Sequence, residues 1–206
     1  TLVFAGGGIY RVTMTASDGK GGGATANVPL HVDGPPGRVR VKLPLAVYED
    51  AHSEPWAPSG WMGTHVALSM DPECTDSPRS GEHCLRFTYD DPGMWVGVAW
   101  QHPANNWGEM DGGHDLSGAS TLELWARGEY GGERINLGVG LLESDRPHHD
   151  SGKTSVEGIV LKDAWQRYRI PLDGIDLASL KTGFVVTLTG QPTAVTFYLD
   201  SIRFIR

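Results

Sequence analysis

Apolar and polar residues alternate one for one along much of this chain, in short runs closed by Gly, Pro, Asn or Asp. A period of two belongs to strands with one buried face. It predicts strands at 9–16, 24–32, 40–48, 65–69, 84–90, 94–101, 120–127, 134–142, 155–161, 165–172, 183–189 and 195–205. No stretch sustains three helical turns of apolar residues, and a single helix-like turn is expected around LDGIDLASLK. Many short strands at even spacing describe an all-β fold, a two-sheet sandwich of jelly-roll type. Its core would draw on Leu85, Phe87, Val96, Val98, Leu122, Leu124, Ile135, Leu137, Val139, Ile170, Phe184, Val186, Phe197 and Leu199. Carried through TFYLDSIRFI, the alternation sets Phe197, Leu199 and Ile205 against Tyr198, Ile202 and Phe204, and strands Asp200 among apolar neighbours. A buried carboxylate is costly without a partner, so one is required.

The first two strands flank SDGKGGG, a hairpin turn with a Gly-rich tip. An isolated hairpin is marginal in water, so these strands either pack on the rest of the chain or belong to a domain whose start is missing. DGPPG then reads as a stiff linker, because prolines hold the chain extended. The organisation expected is a spacer fragment over 1–33, a linker over 34–38 and a sandwich over 39–206. Thr1 is not an initiator methionine, which suggests a piece of a longer protein.

Charge narrows the partners. A net charge of −8 argues against nucleic acid and anionic membrane, which are held by basic patches, and favours neutral ligands. No apolar run approaches the roughly 20 residues that span a bilayer. Cys74 and Cys84 bracket CTDSPRSGEHC, a stretch able to bend back on itself. They are either two buried thiols or, as favoured here, a disulfide formed outside a reducing cytosol. Zinc is disfavoured, since neither has a second ligand at the usual spacing.

Seven tryptophans stand out. Alternation puts Trp95 opposite Val96, Val98 and Trp100, and puts Glu123, Trp125 and Arg127 together on a face away from Leu122 and Leu124. An aromatic among charged groups suits sugar recognition, the ring meeting the C–H face and the charges reaching hydroxyls. The loop QHPANNWG adds Gln101, Asn106 and Trp107, either as ligand contacts or as a turn capped by its Trp. In RPHHDS, Asp150 either hydrogen-bonds a sugar or forms a turn with Ser151, and adjacent histidines cannot easily share a metal.

Several stretches line up in a familiar order: YEDA, SGEHCLRFTY, WVGVAWQHPANNWG, GGHDLSGASTLELWARGEYGGERINLGVG, DAWQRYRIPLDGIDLASLKTGF and VTFYLDSIRF. Over residues 45 to 206 the chain resembles the galactose-binding-like jelly-roll carbohydrate-binding modules of secreted bacterial polysaccharide-degrading enzymes. The opening hairpin is similar to the end of a PKD-type, immunoglobulin-like domain. The module resemblance implies a non-catalytic domain that binds a polysaccharide, attached to a catalytic domain in an extracellular or cell-surface protein. It also implies a structural Ca²⁺ where the first and last strands meet, held by Glu49, Asp50, a carbonyl near Gly81, and Asp200. A cation of that kind takes oxygen ligands and would answer the need of Asp200. Catalysis has no support of its own, because a glycosidase needs two carboxylates about 5 to 9.5 Å apart across a cleft, and no pair is singled out. The rival expectation is a structural or interaction domain that packs on a neighbour without a sugar site.

Overall fold

A computed structural model describes residues 8–17, 19–20, 23–32, 40–91 and 93–206. Two compact units divide the chain, Thr1–Val39 and Arg40–Arg206. In the first, β1 (Gly8–Ser17) and β2 (Gly23–Val32) pair antiparallel from Gly8↔Val32 to Ser17↔Gly23. The expected linker over 34–38 lies outside the described residues.

The second unit holds β3 (Leu45–Tyr48), β4 (Ala57–Gly63), β5 (Leu68–Cys74), β6 (Cys84–Tyr89), β7 (Val96–Gln101), β8 (Thr121–Gly128), β9 (Arg134–Val139), β10 (Thr154–Val160), β11 (Gln166–Pro171), β12 (Thr182–Leu188) and β13 (Val195–Ile205). One sheet runs β10-β9-β12-β7-β4. The other runs β11-β8-β13-β6-β5, with β3 also paired to β13. The two sheets form the β-sandwich of a jelly roll. Trp100 leans on Phe184 at 5.1 Å between ring centroids within one sheet, Phe87 stacks on Phe197 at 4.8 Å within the other, and Trp100 meets Phe87 at 6.4 Å, so rings from both sheets meet in the middle. All the core residues expected from alternation are buried there.

Three local expectations are corrected. The stretch APSGWMG, which carries Pro58 and Gly60, forms β4; a register shift between those two residues hides its period. The strand expected over 65–69 opens as a 3₁₀ turn at His65–Ala67, and β5 begins only at Leu68; around LDGIDLASLK a single turn does form, at Asp173 and Gly174. The alternation of the last strand is interrupted by a bulge between Asp200 and Arg203, where Ser201 adopts φ 49°. An extra residue flips the faces beyond it. Ile202 and Phe204 therefore join Phe197 and Leu199 in the core, while Ile205 does not.

The same bulge marks a change of partner along β13. Residues 195–199 pair with β6, and residues 202–204 pair with β3. Asp200 sits at the junction.

Candidate functional site

The junction answers what Asp200 meets. Its Oδ2 accepts the backbone N–H groups of Arg79 at 2.8 Å and Ser80 at 3.1 Å, and Oδ1 accepts the Ser201 hydroxyl at 3.2 Å. The loop between β5 and β6 lies across the carboxylate and leaves it 0% exposed. Burial pushes the pKa of Asp200 above the usual carboxylate value, against the pull of those donors. Arg203 turns elsewhere, to Glu123 at 2.9 Å.

Glu49 meets the same spot, because its Oε1 also accepts from Ser201 Oγ, at 3.2 Å. Two carboxylates converging on one hydroxyl are a hard-oxygen donor set of the kind Ca²⁺ takes. Asp50 has other work: its Oδ1 accepts the N–H groups of Glu82 and His83 at 2.7 and 2.9 Å, which hold its carboxyl well below its ordinary pKa. Gly81 makes room for it. At φ 62°, a Cβ there would come within 2.6 Å of the Asp50 carboxyl. Among the described residues no group of three or more His, Cys, Asp or Glu gathers in metal-holding geometry.

The outward face of the β11-β8-β13-β6-β5 sheet holds the tryptophan singled out from alternation, and the loop between β5 and β6 closes over it. The Arg79 guanidinium lies 4.2 Å above the Trp125 ring. Arg127 stacks on Tyr198 at 3.6 Å and donates to the Asp76 carbonyl at 2.9 Å, while Trp165 Nε1 donates to the Ser77 carbonyl at 2.9 Å. Cation–π contacts here replace an open platform. Glu123 is sunk among guanidiniums, with Arg169 at 2.8 Å and Arg203 at 2.9 Å, and both draw its pKa down.

Cys74 and Cys84 face each other as a register pair on β5 and β6, both buried and both free thiols. Burial and the neighbouring Cys74 push the Cys84 thiol up to about 12.

The other sheet presents a different surface. With Ile135, Leu137, Phe184, Val186, Val96 and Val98 turned into the core, the alternate positions Asn136, Gly138, Val185, Thr187, Gly97 and Ala99 face outward. Small side chains there leave a groove of about 420 Å³ floored by Gly138, Val185 and Thr187 and rimmed by Glu143, Lys153, Ser155 and Glu157. Gly138 is needed, since a Cβ would approach the Thr154 carbonyl to 2.9 Å. Asn136 is fixed in place, its Nδ2 donating to Thr187 Oγ1 at 3.0 Å and its Oδ1 accepting the Gly158 N–H at 2.8 Å.

Asp150 builds one rim from beneath. Its Oδ2 accepts the N–H groups of Leu141 and Leu142 at 2.7 and 2.9 Å, and its Oδ1 those of Lys181 and Thr182 at 2.6 and 3.0 Å. Four donors on one carboxylate tie the loop after β9 to the start of β12. Asn106 plays the same part in its own loop, bonding the backbone of Gly108 and Met110. Gln101 is buried, with Oε1 accepting from Ser59 at 3.3 Å. Trp107 is half-buried in the loop whose Gly108 carbonyl accepts the His148 N–H at 3.0 Å, and Trp95 is 47% exposed just before β7. The eight residues expected to bind ligand are thus spread over strands β7 and β8 and three loops. None of them lines the groove, although the two-residue period of 134–142 and 183–189 already turns Asn136, Gly138 and Thr187 outward.

Residues 44–206 match the family model described as Carbohydrate binding domain 30. The chain belongs to this family. A family 30 module is a carbohydrate-binding domain, not a catalytic one. Among solved structures, one family 30 carbohydrate-binding module aligns with a TM-score of 0.54 and 19% identity over 79% of this chain and 98% of that one. A second aligns at 0.51 and 20%, over 81% and 89%. A family 11 module of a cellulosomal cellulase of Clostridium thermocellum aligns at 0.50 and 12%, over 81% and 95%. These likenesses show the shared sandwich fold. No curated protein matches the chain.

Proposed function

We propose that this family 30 module holds a neutral polysaccharide chain in the groove on the outward face of the β10-β9-β12-β7-β4 sheet. The observation behind this is the groove itself: about 420 Å³, within the usual range for ligand sites, floored by small residues and edged by hydrogen-bonding groups. Glu143 is neutralised by its ion pair with Lys153, and Glu157 leaves the rim with net negative charge, which disfavours uronate polymers. The module would act as the non-catalytic part of an extracellular enzyme, raising the local concentration of an attached catalytic domain on its substrate. The β1–β2 hairpin fits the end of an immunoglobulin-like spacer before it.

Affinity electrophoresis through gels containing hydroxyethyl cellulose, mixed-linkage β-glucan, galactomannan or polygalacturonate tests this reading. Retention is expected on at least one neutral polymer and not on polygalacturonate. Ser155→Trp fills the groove from an exposed edge-strand position and is expected to weaken retention at least about tenfold, roughly 1.4 kcal/mol. Unchanged retention in that variant would overturn the groove assignment.

Glu49 and Asp200 would hold the Ca²⁺ with backbone carbonyls completing its shell, and the ion would supply positive charge at the β3–β13–β6 junction. Cys74 and Cys84 would close as a disulfide in an oxidising compartment. Protein secreted from an oxidising host should resist alkylation until reduced; free thiols in that material would refute the bond.

A further inference from the structure

We propose that the module carries a second saccharide site, on the outward face of the opposite sheet, centred on Tyr130. This goes beyond the groove reading and does not depend on it. Two basins of about 300 and 400 Å³ lie along the β6–β13 pair, and Thr88, Thr196 and Tyr130 line both. Tyr130 stands between them, 87% exposed. It sits at the tip of the β8–β9 turn, where Gly131 and Gly132 adopt φ 82° and 98° and the Tyr130 N–H is held by Glu133 Oε1 at 2.9 Å. An uncovered ring on a tethered turn beside a polar trough is an arrangement that lets a sugar stack while its hydroxyls find partners.

Those partners are held in place by each other. Arg86 spans Asp71 and Asp76, at 3.0 Å from each, and the Tyr198 hydroxyl donates to Glu129 at 2.6 Å. Preorganised groups of this kind lose little freedom when a ligand arrives. Glu133 steadies the rim of the smaller basin: it is 5% exposed, and its Oε1 holds the Tyr130 N–H at 2.9 Å. The carboxylates lining the two basins, Asp71, Asp76, Asp90, Glu129 and Glu133, outnumber the one guanidinium of Arg86. The ligand is therefore a neutral sugar rich in hydroxyls and not an acidic one. Sites on opposite faces of a sandwich would let one module bridge two polysaccharide chains.

Isothermal titration with cellohexaose, on wild type, Tyr130→Ala, Ser155→Trp and the double variant, separates the two sites. Both positions are exposed, so folding is preserved. Two hexaoses per wild-type module are expected, falling to one in either single variant and to none in the double. One equivalent lost only in Ser155→Trp, with Tyr130→Ala unchanged, overturns the second site and leaves the groove standing. One equivalent lost only in Tyr130→Ala supports the second site and overturns the groove. Failure to bind cellohexaose at all overturns the second site as proposed, while retention on another polymer that Ser155→Trp removes would still uphold the groove.

Discussion

Asp150→Ala should unfold the module about 10 °C earlier and remove polysaccharide retention with it. The carboxylate accepts four backbone N–H groups, from Leu141, Leu142, Lys181 and Thr182, and is itself 6% exposed. An alanine leaves those donors without an acceptor in a place water barely reaches. At about 1 kcal/mol or more for each stranded donor, the loss is about 4 kcal/mol. For a domain of this size each kcal/mol moves the midpoint by about 2–4 °C. The loop that Asp150 ties down supplies Leu141, Glu143 and Lys153 to the groove, so the binding loss comes from position and not from contact with sugar. Asp150→Asn keeps one accepting oxygen and turns an NH₂ toward two donors, so it should fall between wild type and alanine. Melting curves and affinity gels on the three proteins check the order; a midpoint for Asp150→Ala within about 2 °C of wild type would refute the account.

The second large effect concerns Asp200. Burial raises its folded pKa, opposite to the usual direction for an aspartate in an ion pair. The stability contributed by this group is then fully present below the unfolded value of about 3.9 and is lost as pH rises through the higher folded value. Metal-free protein should therefore lose stability from Asp200 as pH rises above about 3.9 and through the raised folded value. A cation bound by Glu49 and Asp200 favours the ionised form and reverses that loss. At a hundredfold excess over its dissociation constant, Ca²⁺ adds about 2.7 kcal/mol. This corresponds to a rise in midpoint of about 5–10 °C at pH 7. In Asp200→Asn the side-chain oxygen still accepts from Arg79 and Ser80, and the amide can donate to Ser201 Oγ, which is free to turn its own proton to Glu49. That variant should melt at or above metal-free wild type at neutral pH and show no response to Ca²⁺. Melts at pH 5 and 7, with Ca²⁺ or chelator, decide the matter. Equal responses to Ca²⁺ in both proteins would exclude the Glu49–Asp200 site.

The core was legible because its signal is local. Phe87, Val98, Leu124, Leu137, Val186 and Phe197 each sit in a clean two-residue period, and burial of one face is what that period encodes. The misses come where the backbone breaks period or where a distant segment intervenes. Ser201 inserts one residue and turns Ile205 out and Ile202 in. Pro58 and Gly60 conceal β4. Trp125 does face away from the core, as its neighbours implied, yet Arg79 covers it from a loop about fifty residues away in sequence, and nothing in TLELWAR announces that. Asp150 looks like a turn residue in RPHHDS because its partners, Lys181 and Thr182, lie thirty residues on. The groove was harder still. Its floor is Gly138, Val185 and Thr187, and a groove made by leaving side chains out gives no residue type to search for.

The pairing of Leu45 with Phe204 has a mechanical consequence. Tension applied through residues 44 and 206 would pull two antiparallel neighbours apart from their adjacent ends, breaking their hydrogen bonds in succession, as a zipper opens. Such a geometry yields at low force. Under such a load β3 would peel from β13 first, and the β10-β9-β12-β7-β4 sheet, which shares no pairing with β3 or β13, would be spared at that stage.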